Sequence, residues 1–512
     1  MKLRTLIERC GCLTFDGKGN PEITMVCTDS REVREGGLFV AIEGYRDNGL
    51  RYIEDAVKRG AAALVVEERF KNQARGFLAA AQEAGAVPRP QTASPYRVEG
   101  DPGETLPALC VTPDARRCAL FTSREFYDRP SKSLTLVGVT GTNGKTTITY
   151  LIEAILRAAG KNPGVVGTIS YRFNDVTHNA DNTTPDPVEL QSFFARMRDG
   201  GVTHAVMEVS SHALAMDRVH APDFDAAVFT NLTQDHLDFH KTMDGYFRAK
   251  ALLFQGLDAG ASAIINRDDP HGVKLLTLTK ARATTYSIRS KADLKAELLD
   301  LSIEGTRFRV NGKEFFTRLV GEHNVYNFLA AYGVARALGF DDGTVERALV
   351  AMKNVPGRFE RVGAGRGCHV FVDYAHTPDA LERLLEAANR LSKGRIITVF
   401  GCGGDRDRGK RPLMGGVVER MSDVAVVTSD NPRTEDPLAV IEDITKGLEK
   451  DNHLIIPDRR AAIFHAVDLA RPGDIVLIAG KGHEDYQILK DRTIHFDDRK
   501  VAAEAMRETG KW

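Results

Sequence analysis

LTLVGVTGTNGKTTITYLIEAILRAAG, residues 134–160, decides how the rest of the chain is read. Its first seven residues form an apolar run of strand length, and Ile148, Leu151, Ile152, Ile155 and Leu156 then recur at helical spacing. Between strand and helix lies Gly138-Val-Thr-Gly141-Thr142-Asn143-Gly144-Lys145-Thr146-Thr147. Backbone amides of a glycine-rich turn at a helix N-terminus cradle phosphate, Lys145 adds a point charge, and the Thr146 hydroxyl can reach Mg²⁺. Val139 stands where the strict pattern has its first glycine, but the strand–loop–helix context still points to a nucleoside triphosphate site.

Downstream, apolar strand patterns HAVMEVS (204–210), DAAVFTN (225–231) and SAIINRD (262–268) alternate with helical patterns at 145–159, 188–199, 244–257 and 324–338. That rhythm predicts a central, doubly wound, mostly parallel sheet over 134–357. It resets near PGRFE (356–360), and HVFVDYA (369–375), RIITVFG (395–401), VAVVTS (424–429) and DIVLIAG (474–480) predict a Rossmann-like domain over 358–512. All four end in polar or Gly-rich residues, where open α/β sheets bind ligands. Upstream, GLFVAI (37–42), IEDAVKRG (53–60) and AAALVVEE (61–68) predict a smaller α/β domain over 1–133. The Gly, Ala, Pro and Gln-rich stretch at about 71–106 reads as an insertion or surface loop within it, and 114–133 as a helix followed by a linker at Pro130.

The fold class is therefore α/β in three domains, and 512 residues suit about three domains of ordinary size. Sixty-nine basic against 70 acidic side chains leave a charge of −1, which gives no general attraction to nucleic acid or a membrane surface. No apolar run is long enough to span a bilayer, and MKLRTLIERC lacks the core of a signal peptide, so the expectation is a cytoplasmic monomer. Seven cysteines without CxxC or metal-finger spacing suit reduced, mostly buried thiols.

Two charged residues fall in apolar surroundings. Lys250 lies amid the stripe of Tyr246, Phe247, Leu253 and Phe254. Either its amine is desolvated, which lowers its pKa and lets it take up CO₂ as a metal-binding carbamate, or the ammonium snorkels to solvent or pairs with a carboxylate. Glu208 ends an apolar strand beside Ser210, Ser211 and His212, while Asn231, Asp235 and His236 follow the next strand. Such a set suits Mg²⁺, although His236 alone reads more readily as a structural histidine. In the third domain, Arg406, Arg408, Lys410 and Arg411, then Asp430 and its neighbours, then Gly480 to Glu484 follow strands. Arginines for a carboxylate and acids for an ammonium suit an amino acid charged at both ends, and a solvated rim is the other reading.

TGTNGKTT, EVSSH, TNLTQDHLDFH, YFRAK, NRDD, GEHNVYN, PGRFE, DYAHTPD, GCGGDRDRGKRPLMG, SDNPR and GKGHE follow one another in an order that resembles the Mur ligases of peptidoglycan synthesis. The resemblance runs from Cys27 to the C-terminus, apart from 71–106. It implies an ATP-dependent amide ligase in cell-wall precursor synthesis, and hence in cell shape and division. Asp430-Asn431-Pro432-Arg433 is the family's mark of addition of meso-diaminopimelate to the D-glutamate γ-carboxylate of UDP-N-acetylmuramoyl-L-alanyl-D-glutamate, through an acyl phosphate.

The resemblance also implies roles. Gly141 to Thr147 would hold the ATP phosphates, with Asn327 at the adenine, Arg358 at a phosphate, Asp373 at the ribose and His376 close by. Lys250 would be carbamylated by CO₂ and serve Mg²⁺ with Thr146, Glu208 and His236; Lys145, Lys250 and His236 would be the catalytic set. Thr28, Ser30, Tyr45, Arg46, Asp47, Asn182, Thr183, Thr184, Ser210 and Arg218 match positions for the UDP-linked substrate. Met216 replaces a glutamine common in relatives, so that contact is not carried over. Arg406, Asp430, Asn431, Pro432, Arg433, Gly480 and Glu484 match the diaminopimelate pocket.

Three rivals remain open at this point. An L-lysine-adding sibling is disfavoured by SDNPR, and a folate polyglutamylating enzyme by CTDSR in the first domain. A nucleotide switch draws on NRDD (266–269), which is similar to a guanine-reading NKxD.

Overall fold

The computed structural model describes residues 1–16, 19–44, 47–83, 106–220, 223–363 and 367–511. The chain packs as two compact units. One comprises Met1–Val137, Asn162–Asp225 and Gln255–Asp258; the other comprises Gly138–Lys161, Ala226–Phe254 and Ala259–Trp512.

The first unit carries a five-stranded sheet in the order Thr14–Asp16, Ala108–Thr112, Ala61–Glu67, Gly37–Val40, Met25–Cys27. Only Thr14–Asp16 runs antiparallel. Apolar side chains cover both faces, as buried parallel strands require. The expectation of a loop from residue 71 is corrected, because Lys71–Glu83 is a helix. Ala74 and Leu78, four apart, are buried in the core, and that periodicity outweighs the Gly and Gln content. The rest of the stretch, 84–105, lies outside the described residues. In the same unit His204–Glu208 pairs in parallel with Pro163–Val166, which continues antiparallel into Ser170–Phe173 and Val176–Asn179.

In the second unit, Ala226–Phe229, Ser262–Asn266, Arg282–Ser287 and Leu294–Ser302 lie parallel, and Gly305–Val310 and Lys313–Thr317 add an antiparallel edge. The phosphate-loop helix Lys145–Ala158 packs against Glu322–Ala337 and Asp342–Ala351. Ile152, Ile155 and Leu156 meet Ala331, Val334 and Ala335 there. A six-stranded sheet follows in the order Glu360–Val362, His369–Asp373, Ile475–Ala479, Ile396–Phe400, Val424–Val427, His453–Ile455. All but the first strand are parallel, with apolar cores on both faces. Ile475–Ala479, last in sequence, inserts between His369–Asp373 and Ile396–Phe400. The strand order switches there, which opens a crevice at the carboxyl ends. No described helix is long and apolar enough to cross a membrane.

Candidate functional site

The phosphate loop is held from the following strand end. The Thr142 N–H donates to the Asn231 carbonyl at 2.9 Å and the Asn143 N–H to Asn231 Oδ1 at 3.0 Å. Thr230 Oγ1 donates to the Asn143 carbonyl at 2.7 Å. Gly141 has φ 146°, and a Cβ there would lie 2.9 Å from Thr230 Cβ, so only glycine fits. Lys145 Nζ folds back onto the Gly141 and Thr142 carbonyls at 3.0 and 2.9 Å. Thr146 and Thr147 are buried in the first helical turn, and Arg358 Nη2 donates to Thr146 Oγ1 at 3.0 Å.

Lys250 is 1% exposed within the helix Met243–Gln255. Its Nζ donates to the Gly141 carbonyl at 2.9 Å and lies 4.5 Å from the centre of the Tyr246 ring. Burial, reinforced by Lys145, holds its pKa well below the ordinary lysine value. The desolvated alternative is thus the one observed, and the ammonium does not snorkel. Asp235 works against burial: His236, His376 and Lys145 hold its carboxyl below the usual range. His236 Nε2 stands 3.3 Å from Asp235 Oδ2, and its ring is half exposed. Burial, then Lys410, depresses His376, whose Nδ1 lies 2.7 Å from the Tyr374 carbonyl.

At the nucleoside positions, Asn327 is buried behind Gly144 and donates to Asn324 Oδ1 at 2.9 Å. Asp373 accepts the N–H groups of Phe359 at 2.6 Å and Ala375 at 2.8 Å. Asp269, the fourth residue of NRDD and the one a guanine reader would need, is already engaged. Its Oδ2 accepts the Leu232 N–H and its Oδ1 the His271 N–H, both at 2.8 Å. Asp269 therefore caps the short helix Pro270–Leu275 and holds the Leu232 turn, and does not offer a base-reading carboxylate.

In the first unit, Thr184 is a hub. Its Oγ1 donates to the Glu208 carbonyl at 2.8 Å and accepts the Ser210 N–H at 3.0 Å, while Arg218 Nη1 donates to its carbonyl at 3.0 Å. Glu208 is buried, and its carboxylate accepts the N–H and Oγ1 of Thr168 at 2.9 and 3.0 Å. Thr168 Oγ1 also lies 3.1 Å from Thr183 Oγ1, a partner sequence reasoning missed because no pattern marks an isolated threonine. Tyr171 Oη donates to the Asn182 carbonyl at 2.5 Å. Thr28 is half-buried after its strand, Ser30 opens a short helical turn, and Asp47 accepts from Tyr52 Oη. Tyr45 and Arg46 lie outside the described residues. Glu189, also missed, is pushed up to about 7 by burial and by Asp186 and Asp181.

At the third sheet's strand ends, Asn431 Nδ2 donates to Glu484 Oε2 at 2.9 Å, and fully buried Lys481 reaches the same oxygen at 3.1 Å. Glu484 does hold an ammonium, then, but it is this chain's own. Arg433 Nη1 donates to the Gly404 carbonyl at 2.9 Å, and the Asn431 N–H to Asp430 Oδ1 at 2.7 Å. Gly480, at φ 116°, leaves room for Asp430, whose Oδ2 would lie 2.7 Å from a Cβ. Arg406 is exposed and Pro432 follows Asn431 on the buried side of the loop. The expectation that Arg408 and Arg411 belong to a ligand rim is corrected: Arg411 is buried against Glu435 and Asp443, and Arg408 pairs with Glu435. Arg459, missed in sequence, is buried with Asp498 and donates to the Ser429 and Ala479 carbonyls at 3.4 and 3.1 Å. It thus braces two of these strand ends. His483, beside Tyr374, is held to about 3 by burial and by Arg358.

Sequence profiles match residues 22–91 as "Mur ligase family, catalytic domain", 139–335 as "Mur ligase middle domain" and 357–482 as "Mur ligase, glutamate ligase domain". The chain is 43% identical to a UDP-N-acetylmuramoyl-L-alanyl-D-glutamate–2,6-diaminopimelate ligase of Syntrophomonas wolfei, covering 99% of each. It is also 43% identical to the enzyme of that name from Geobacillus kaustophilus, over 100% of both chains. A solved structure bearing the same name aligns with TM-score 0.63 at 33% identity, covering 96% of each chain. With all three parts matched and similarity running end to end, the chain belongs to the Mur ligase family.

Proposed function

We propose that this chain is an ATP-dependent amide ligase that joins meso-diaminopimelate to the D-glutamate γ-carboxylate of UDP-N-acetylmuramoyl-L-alanyl-D-glutamate, in cytoplasmic cell-wall precursor synthesis. The carrying observation is the end-to-end similarity to relatives of that name, joined here to the SDNPR segment. The divisions near 133 and 357 separate the UDP-substrate, ATP and amino-acid domains.

In the first step a γ-carboxylate oxygen attacks the γ-phosphorus of ATP, the bridging P–O bond breaks, and ADP leaves. In the second the amine of diaminopimelate attacks the acyl-phosphate carbonyl, phosphate departs, and the nitrogen loses a proton. The chemistry needs positioning and neutralisation of charge, not a covalent nucleophile. Lys145 and the loop from Gly141 to Thr147 hold phosphates, with Arg358 beside them and Asn327, Asp373 and His376 serving the nucleoside. Thr28, Ser30, Tyr45, Arg46, Asp47, Asn182 to Thr184, Ser210 and Arg218 bind the UDP-linked acceptor. Arg406, Asp430 to Arg433, Gly480 and Glu484 bind diaminopimelate.

Mg²⁺, when bound, neutralises phosphate charge; its proposed holders are Thr146, Glu208, His236 and Lys250 as a carbamate. Lys250 fits that assignment because burial favours the neutral amine, the form that takes up CO₂. No three described His, Cys, Asp or Glu residues form a metal cluster on their own.

The test is phosphate release from ATP and Mg²⁺ with the UDP-linked dipeptide, adding meso-diaminopimelate or L-lysine in parallel. Release dependent on diaminopimelate, with a tripeptide product, is expected. Preference for lysine would keep the chemistry and overturn the pocket assignment, and release needing neither would overturn the ligase.

A further inference from the structure

A carboxylate beyond the ligand positions already named reaches the phosphate loop. Asp379 stands in the first turn of Pro378–Leu391, the helix that follows the first parallel strand of the six-stranded sheet. Its Oδ2 accepts from Asn143 Nδ2 at 3.0 Å and from Thr233 Oγ1 at 2.9 Å. Arg383, one turn along, donates through Nε to both oxygens at 3.2 and 3.1 Å. One carboxylate therefore joins three stretches: the phosphate loop, the turn after Ala226–Phe229, and the sheet that carries Asn431 and Glu484.

A carboxylate in a helix's first turn is ordinarily explained by the helix dipole. Here, beside the Arg383 pair within its own helix, its hydrogen bonds run to side chains of the loop and of the turn that braces it. Asn143 is the residue best placed to transmit the contact. Its N–H and carbonyl are fixed by Asn231 and Thr230, so its side chain is the part of the residue left for Asp379 to hold. Thr233 is tied in as well, since its N–H donates to Thr142 Oγ1 at 3.1 Å.

We propose that Asp379 is a positioning residue that reports the seating of the amino-acid-binding sheet to the phosphate loop. The loop reaches its working shape when that sheet is docked, so phosphoryl transfer is linked to the presence of the part that delivers the amine. A displacement of about 1 Å in such a loop is enough to cost on the order of 10²-fold in rate. This inference rests on the ligase reading.

The experiment uses the full chain with Asp379→Ala, Asp379→Asn and Thr233→Val, alone and combined. It reads turnover with ATP, the UDP-linked dipeptide and meso-diaminopimelate, and separately the equilibrium affinity for ATP. The expected result for Asp379→Ala is at least a tenfold fall in kcat with ATP affinity within threefold of wild type. Adding Thr233→Val is expected to cause no further loss, because both act through one contact. If Asp379→Ala fails to fold, Thr233→Val, which removes one of the two donors and leaves the carboxylate in place, carries the same readings. A kcat within twofold of wild type, an equal fall in ATP affinity, or additive losses would each overturn the proposal. Wild-type protein without diaminopimelate-dependent turnover would instead overturn the ligase reading.

Discussion

Lys145 and Lys250 donate to one oxygen, the carbonyl of Gly141, at 3.0 and 2.9 Å. Two ammonium groups sharing an acceptor in a buried site repel, and the one with less access to water is the one that gives up its proton. That one is Lys250. Lys250→Ala is accordingly expected to lower kcat by about 10²-fold or more, with partial rescue by a short carboxylic acid that restores the missing oxygens. Stripping CO₂ from the buffer should depress wild-type activity and bicarbonate restore it. Near wild-type turnover in the alanine variant would remove the carbamate from the mechanism.

Glu189 gives a pH signature in stability. Its folded pKa of about 7 lies above the ordinary glutamate value of 4.5, so between those values the folded state binds more protons than the unfolded state. Stability from this group is present below pH 4.5 and lost as pH rises through 7. Glu189→Gln should therefore be more stable than wild type at pH 8, by roughly 1–2 kcal/mol after discounting for partial exposure, and no different near pH 4. Thermal unfolding at the two pH values measures the difference.

Asp269 accepts the Leu232 and His271 N–H groups and caps the helix Pro270–Leu275, so Asp269→Ala is expected to cost about 1–2 kcal/mol in unfolding free energy. Preference for ATP over GTP should stay unchanged in competition binding. A change in base preference would revive the guanine-reading role that its hydrogen bonds argue against.

Arg459 and Asp498 form a pair with neither side chain exposed. Arg459→Ala leaves a buried carboxylate alone, and its expected cost is about 3–5 kcal/mol by chemical denaturation. Because Arg459 also holds the Ser429 and Ala479 carbonyls, the surviving folded protein should show a raised KM for diaminopimelate with KM for ATP little changed.

What sequence could reveal here follows from locality. The phosphate loop, the parallel strands and the depressed lysine are written in adjacent residues, through glycine spacing, apolar runs and one lysine in an apolar stripe. The strands from Ser170 to Asn179 and from Arg282 to Thr317 went unread because their patterns are mixed; Val176–Asn179 is exposed along its whole length. The helix at Lys71–Glu83 hid behind composition, though Ala74 and Leu78 carried its period. Thr168, Arg459 and Asp379 were invisible because each acts through residues 40, 39 and 236 positions away, on Glu208, Asp498 and Asn143.

Lys481 on Glu484 has one more consequence. With Arg433 near Gly404 and Asp430 behind Gly480, the pocket's two inner cations offset its two anions before any ligand arrives, and the further cation, Arg406, stands exposed where salt screens it. An incoming zwitterion then exchanges partners within a neutral set and is not drawn in by a net field. Its capture should depend only weakly on ionic strength, and discrimination falls to the spacing between charges, which tells a molecule with two amino-acid ends from one with a single end and a bare ammonium.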